Sequence, residues 1–260
     1  MTEEVLPGRR EHDPVRWFDE HYNDAADEII AFLDGDGIGL EGKLVCDIGC
    51  GDGIIDLGLA IKGKPQALMG YDVRLTDYGG LHRAAQAAGV VEDQMPQNLT
   101  FIQSEPETIP AMPGAFDVAV TWSVFEHVDN PVALLSEVRR ILKPTGVLFL
   151  QLWPFWLSQH GGHLWPHIED PFPHLMRKDQ DILDEVEGKR ATDPTRTADD
   201  EYRSLNHLTI DGLQRSLLAA GLLPTKLKLM SDTVHIPVGL GHIRLSDLGI
   251  AGVEMLAVPR

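Results

Sequence analysis

A glycine-rich segment near residue 50 has the composition of a ligand-binding loop. It follows a short apolar run and contains Asp47, Gly49, Gly51 and Gly53. Glycines allow a tight turn and let a ligand approach the backbone closely, and a helix beginning near Ile54 would offer N–H groups to it. Dinucleotide-binding loops need glycines at offsets zero, two and five, whereas the third glycine here comes one residue early. The spacing disfavours NAD without excluding it.

Asp72 is the second candidate for chemistry. It ends an apolar run at about the distance from the glycine loop where a ribose-binding carboxylate belongs. A carboxylate accepts hydrogen bonds from adjacent hydroxyls, and its charge repels a 2′-phosphate. A solvated acid at a strand end explains Asp72 alone equally well, but next to the glycine loop we predict that it binds a nucleoside cofactor, with Val73 beside it.

The elements that must position these residues alternate between strand and helix patterns from about residue 44 to residue 150. Such alternation predicts an α/β fold with a parallel sheet and crossover helices. An amphipathic helix is predicted before the sheet, over residues 18–33, and two more helices are predicted at 131–142 and 208–221. Residues 143–146 are expected to stop the helix before them and turn the chain. The predicted strands are residues 43–48, 67–72, 99–103, 116–121, 146–151, 225–230 and 252–258.

With these motifs in order, the chain resembles the class I methyltransferases that use S-adenosylmethionine (SAM), in particular the group that acts on small molecules. The resemblance covers residues 43–151 well and the part after residue 208 loosely. Glu105 stands where the family more often has aspartate. The segments that carry the resemblance are residues 45–53, 70–72, 104–110, 116–120, 125–128 and 142–146.

The resemblance implies a Rossmann-like sheet of seven mostly parallel strands flanked by helices, with the last strand antiparallel. It also implies that SAM lies across the carboxyl ends of the first strands. The methionine part would contact the glycine loop. The ribose would contact Asp72, and the adenine would contact Ser104 and Glu105. Trp122 and Ser123 would line the methyl end. The full set of expected cofactor-binding residues is Asp47, Gly49, Gly51, Gly53, Asp72, Val73, Ser104, Glu105, Trp122 and Ser123.

An insertion at residues 152–207 follows the fifth predicted strand. Its first half is rich in Trp, Phe, His and Pro, and its second half, about 178–203, is charged and without a sustained apolar stripe. We expect a lid over the substrate whose outer portion is mobile. His163, between a glycine pair and an apolar Leu-Trp pair, is the predicted general base, with His160 in reserve. The histidines show no regular ligand spacing, so no metal is predicted.

The composition of the chain limits the classes of molecule that it is expected to bind. The chain has 260 residues and a formal net charge of −18, so its average surface repels nucleic acid and anionic lipid. Residues 1–4 lack a basic start and an apolar core, so no secretory signal is expected and the predicted location is the cytoplasm. We expect one domain, with an N-terminal helical cover (1–40), a cofactor core (41–151), the lid (152–207) and a C-terminal part (208–260). The sequence gives no oligomeric state.

These observations predict an enzyme that transfers a methyl group from SAM to a small-molecule acceptor, yielding S-adenosylhomocysteine. The acceptor group is expected to be a hydroxyl, or an amine, of a sugar-like molecule or secondary metabolite. Two alternatives stay open at this point. One is a nicotinamide-dependent oxidoreductase, and the other is a non-catalytic protein that keeps the methyltransferase fold.

Overall fold

Seven strands form one mixed sheet in the computed structural model, which describes residues 13–191 and 196–260. Their order is β3-β2-β1-β4-β5-β7-β6. Only β7 runs antiparallel to its neighbours, β5 and β6, which confirms the predicted sheet with an antiparallel last strand. The strands are β1 Leu44–Ile48, β2 Ala67–Asp72, β3 Leu99–Gln103, β4 Phe116–Trp122, β5 Leu142–Leu152, β6 Leu222–Ser231 and β7 Ile250–Pro259.

Helices cover both faces of this sheet. On one face, α2 to α4 pack with a core that includes Ile29, Leu57 and Leu81, and on the other face α5 and α9 pack with a core that includes Leu135 and Leu217. Thr209 caps α9 as the sequence predicts, since its Oγ1 accepts a hydrogen bond from the N–H of Gly212 at 3.1 Å. The helices are α1 Pro14–Asp19, α2 Ala26–Asp34, α3 Ile54–Lys62, α4 Tyr78–Ala87, α5 Pro131–Ile141, α6 Pro173–Met176, α7 Asp179–Val186, α8 Ala198–Arg203, α9 Ile210–Ala219 and α10 Leu245–Gly249.

Two local predictions differ from the structure. A π-helical turn at Glu20–Ala25 joins α1 to α2 within the predicted N-terminal helix. At the other end of the core, β5 begins at Leu142 and runs through residues 143–146, where the sequence predicts a turn. Leu142 pairs with Phe116 and Val147 pairs with Val118, so residues 143–146 form an irregularity between two paired positions of β5.

The insertion holds three short helices, α6 to α8. Ile182 and Val186 of α7 lie one helical turn apart. Both belong to a small hydrophobic core within the insertion, separate from the two cores of the sheet. The charged half thus has a buried stripe that its composition did not reveal. Residues 1–12 of the predicted N-terminal cover and residues 192–195 of the predicted lid lie outside the described ranges. Within those ranges, no helix is long and apolar enough to cross a membrane.

Candidate active site

A cleft of about 1640 Å³ opens where β1, β2 and β4 end. This is the edge where the order of an open α/β sheet reverses and ligands usually bind. The volume exceeds the ~300–1,000 Å³ typical of a site for one drug-sized ligand, so a cofactor and an acceptor fit together. Of the predicted cofactor-binding residues, nine line this cleft: Asp47, Gly49, Gly51, Asp72, Val73, Ser104, Glu105, Trp122 and Ser123.

The glycine loop lies between β1 and α3. Gly49, Gly51 and Gly53 all have left-handed backbone angles, with φ of 80°, 54° and 78°. A Cβ on Gly49 would overlap the side chain of Val124, and one on Gly53 would overlap Phe101, so both glycines are needed for packing. Gly53 does not line the cleft. A Cβ on Gly51 would meet nothing within 4 Å, so a ligand can approach its backbone.

The loop N–H groups are used within the protein. Gly49 and Cys50 donate to Tyr71 O, and Gly53 donates to Cys50 O. Ile54 donates to Asp52 Oδ1. At the start of α3, the N–H of Ile54 is therefore not free for a ligand, and the glycines of the loop offer a ligand close approach to the backbone.

Asp72 holds the same loop from the end of β2. Its Oδ2 accepts a hydrogen bond from the N–H of Gly51 at 3.0 Å, and its Oδ1 accepts one from the N–H of Arg74 at 2.9 Å. A carboxylate has about four acceptor positions. Two therefore remain for hydroxyl groups in the cleft, so Asp72 can bind a ribose and tie the loop at once.

Asp47 forms a buried carboxyl pair with Asp56 of α3. Burial raises the pKa of Asp47 to about 7, and burial together with the charge of Asp47 raises the pKa of Asp56 well above its ordinary range. Both oxygens of Asp56 are buried without a hydrogen-bond partner among the described residues, and the charge of Asp47 keeps the proton on Asp56. Asp47 Oδ1 is buried without a hydrogen-bond partner among the described residues, although Asp47 lines the cleft. A cationic group there would satisfy it.

Sequence reasoning did not identify Asp56. The only signal was an acid inside a helix that is otherwise apolar on its buried side.

Two further segments close the cofactor side of the cleft. The N–H of Ser104 donates to Asp72 O at 2.8 Å, which places Ser104 and Glu105 next to Asp72. On the opposite side, Trp17 of α1 donates from Nε1 to Asp52 Oδ2 at 2.7 Å and holds the N-terminal helix over the glycine loop.

Trp122 and Ser123 lie at the end of β4. The ring of Trp122 stacks on Phe149, with centroids 6.4 Å apart. Ser123 has a φ of 49° and donates from Oγ to Gln151 Oε1 at 2.9 Å. A non-glycine residue in this conformation is uncommon and is concentrated at functional sites. Both residues line the cleft, and Ser123 combines this position with the uncommon backbone angle.

That other end is lined by tryptophans and by His163. Trp153 and Trp165 meet edge to face with ring centroids 5.1 Å apart, and both line the cleft. His163 is buried, lines the cleft and has a φ of 54°. Its Nδ1 lies 3.6 Å from Glu201 Oε1. His160, the reserve candidate, lines a separate cavity of about 200 Å³ and not the cleft.

Glu126 faces His163 across the cleft and was not singled out from the sequence. One ligand atom from each of Glu126, His127 and His163 lies within 4.8 Å of the others. Burial raises the pKa of Glu126 to about 8, with the charge of Glu201 adding to this and Arg196 opposing it. Both Glu126 oxygens are buried without a hydrogen-bond partner among the described residues. The sequence could not reveal the group, because His163 comes from the insertion.

A family model described as a methyltransferase domain matches residues 18–186, which is more than half of the chain. The chain belongs to this methyltransferase family. The match starts before β1 and ends in α7, so it includes the glycine loop, Asp72 and the segment with His163. It decides against the nicotinamide-dependent oxidoreductase.

Among curated proteins, the methyltransferase is 34% identical over 112 residues to the ubiquinone biosynthesis O-methyltransferase of Pseudomonas aeruginosa (strain LESB58), covering 43% of this chain and 45% of that protein. The chain thus spans about half the length of the curated relatives it matches.

Solved structures share its fold. A sarcosine dimethylglycine methyltransferase described as putative, from Galdieria sulphuraria, aligns with a TM-score of 0.60 and 15% identity over 98% of this chain and 93% of that one. Geranyl diphosphate C-methyltransferase from Streptomyces coelicolor A3(2), solved with S-adenosyl-L-homocysteine, aligns with a TM-score of 0.55 and 15% identity over 90% of this chain and 77% of that one.

The cofactor of this enzyme is S-adenosylmethionine, and the cleft fits it. The cofactor carries an ammonium, and Asp47, which lines the cleft, has an oxygen without a hydrogen-bond partner among the described residues. It carries two ribose hydroxyls, and Asp72 keeps acceptor positions for them. Its methionine chain needs room beside the backbone, which Gly51 provides.

Proposed function

We propose that the methyltransferase transfers the SAM methyl group to a hydroxyl of a small ring-containing molecule, of sugar-like or secondary-metabolite type. The observation that carries the proposal is the buried His163 at the tryptophan-lined end of the cleft that also holds the glycine loop. Aromatic side chains pack well against flat or ring-shaped ligands. The curated relative named above is an O-methyltransferase, which supports oxygen as the methylated atom.

The cofactor would lie along the carboxyl ends of β1, β2 and β4. Asp47 would hold the methionine ammonium, while Gly49 and Gly51 make room for the methionine chain. Asp72 and Val73 would contact the ribose. Ser104 and Glu105 would contact the adenine, and Trp122 and Ser123 would place the methyl group toward the tryptophans.

The cofactor supplies a methyl group that its sulfonium has already activated. The remaining work of the protein is to align the acceptor oxygen with that methyl group and to exclude water. Trp153 and Trp165 would position the acceptor ring. The acceptor hydroxyl would lie against His163, which either takes its proton or acts on it through a bound ion. General-base action of His163 stays a prediction, and the variants below test it.

The test is turnover with a panel of phenols, catechols and sugars, followed by mass spectrometry of the products. His163→Ala should lower kcat by about a hundredfold or more and leave the Kd for SAM nearly unchanged. His174→Ala is the matched control, because His174 is a buried histidine of the same insertion that bonds to Trp156 O and lines the smaller cavity.

His160→Ala tests the reserve candidate, and a loss confined to that variant would transfer the role to His160. Full turnover of His163→Ala from pH 6 to 9 would contradict oxygen activation at His163 and favour an amine acceptor, which needs no base.

A further inference from the structure

We propose that Glu126, His127 and His163 bind a divalent cation at the acceptor end of the cleft. The inference rests on the proposed function, since the cation would hold the acceptor oxygen. The three residues lie on two segments that are distant in sequence and meet at the end of β4. Their ligand atoms lie within 4.8 Å of one another.

The spacing is close to that of a metal site. Two ligands each about 2.1 Å from one ion lie no more than about 4.2 Å apart. Side-chain adjustments of under about 1 Å therefore bring the three atoms onto a common centre. The 3₁₀ turn Phe125–His127 holds two of the ligands on adjacent residues, and only His163 comes from elsewhere.

Burial makes an unpaired carboxyl costly at this position. Glu126 is 4% exposed, and neither of its oxygens has a hydrogen-bond partner among the described residues. The same holds for both ring nitrogens of His163, whose nearest acid, Glu201, stays 3.6 Å away. A general base alone would explain His163 and leave Glu126 without a role. A bound cation satisfies both residues.

His127 supports this arrangement. Its Nδ1 lies 2.8 Å from Ser204 Oγ, a contact of the kind that orients the ring of a metal-binding histidine. Two imidazoles and one carboxylate suit first-row transition ions. Three protein ligands also leave coordination positions for a substrate, as in catalytic rather than structural metal sites.

Such an ion would make the acceptor hydroxyl a better nucleophile. A divalent cation lowers the pKa of an oxygen bound to it, which favours the nucleophilic form of a hydroxyl. His163 would then serve as a ligand, and the acceptor proton would pass to solvent. Glu201 and Arg196 are the other charged groups that face the cluster, since both act on Glu126 and line the cleft.

The experiment is calorimetric titration of the full chain, after treatment with a chelator, with Mn²⁺, Zn²⁺ and Mg²⁺ separately and without SAM or acceptor. We expect one Mn²⁺ or Zn²⁺ per chain. Glu126→Gln and His163→Ala should each weaken binding at least tenfold, and His174→Ala should bind as the unmodified protein does. The melting temperature and the Kd for SAM of each variant verify that it is folded.

Absence of saturable binding for all three ions, or unchanged binding in both cluster variants, would overturn the inference. Because these titrations contain no acceptor, their outcome is independent of the reaction. Cation binding without any O-methylated product would count against the proposed function alone. Product formed in the presence of excess chelator would count against the cation alone.

Discussion

The backbone N–H of Gly51 donates a hydrogen bond to Asp72 Oδ2 across 3.0 Å, which joins the glycine loop to the end of β2. The two residues that the sequence marks as a cofactor site are therefore one structural unit. If the cofactor binds as proposed, a change at Asp72 would remove a ribose contact and would also release the glycine loop from β2.

Asp72→Ala should lower SAM affinity by more than the loss of a single ribose bond would. Hydrogen bonds to a charged group contribute about 1.5–3 kcal/mol each, so the Kd should rise at least about tenfold. Asp72→Asn keeps one acceptor oxygen and should lose less. Calorimetric titration with SAM measures both variants, and an Asp72→Ala Kd equal to that of the unmodified protein would remove Asp72 from the site.

Gly51→Val should abolish cofactor binding for two reasons. The left-handed φ of 54° strains a β-branched residue, and the new side chain enters open space on the cleft side of the loop. Gly89→Val is the matched control, because Gly89 is also exposed, has a φ of 70°, and a Cβ added to it would meet no atom within 4 Å. Both variants should lose similar stability, measured by thermal unfolding. Equal SAM affinity in the two would show that the space beside Gly51 is not used.

The sequence predicted the sheet correctly, and nine of the ten expected cofactor-binding residues line the cleft, because both depend on local patterns. The binding roles of these nine residues stay predictions. Apolar runs mark the strands, and the glycine loop and Asp72 sit where strands end. Gly53 is the exception. It fits the motif, but the structure uses it to avoid Phe101 and keeps it out of the cleft.

The acceptor side could not be predicted in the same way. His163 was placed there through the fold resemblance, but its neighbours Glu126 and Glu201 come from segments far away in the chain. Contacts of this kind depend on how the insertion packs, and its small core around Ile182 and Val186 has only a weak sequence pattern. Asp56 was missed for a related reason, since its importance arises from burial beside Asp47.

SAM affinity should increase with pH between about 6 and 8. The pKa of Asp47 is raised to about 7, so below that value the carboxyl is largely protonated and cannot pair with the methionine ammonium. Binding should therefore release a proton, by an amount that declines above pH 7. Titrations at each pH in buffers of different ionisation enthalpy measure both quantities. A pH-independent Kd would contradict the assignment of Asp47.

The same pair should make the protein less stable as pH rises. Both folded-state pKa values lie above the unfolded ones, so the protonated pair stabilises the native state fully below about pH 4. The contribution of Asp47 is lost as pH rises through about 7, and that of Asp56 decreases over a window that begins at the same low pH. Between pH 5 and pH 8, the free energy of unfolding of Asp56→Asn should rise by at least about 1 kcal/mol relative to that of the unmodified protein. Urea unfolding at the two pH values measures the free energy of unfolding of each protein. The same change between the two pH values in both proteins would show that Asp56 does not titrate as proposed.

Asn206 connects the end of the insertion to the segment that holds Glu126. Its Nδ2 donates to Phe125 O and Val128 O, each at 2.7 Å, and its N–H donates to Glu126 O at 2.8 Å. Asn206→Ala leaves two partly buried carbonyls without this partner, at a cost of about 1–3 kcal/mol. The turn that carries Glu126 should then shift, so kcat should decrease several-fold while the Kd for SAM stays nearly constant.

Asn98→Ala separates this effect from a general loss of stability. Asn98 is equally half-buried, and its Nδ2 also joins two carbonyls, Ala60 O at 3.3 Å and Pro65 O at 3.0 Å, away from the cleft. Both variants should have lower melting temperatures, but at a temperature where both are fully folded only Asn206→Ala should have reduced turnover. If the protein binds a cation as proposed, Asn206→Ala should also weaken that binding, because two of the three ligands lie in the displaced turn. Equal turnover in the two variants would show that Asn206 contributes to stability alone.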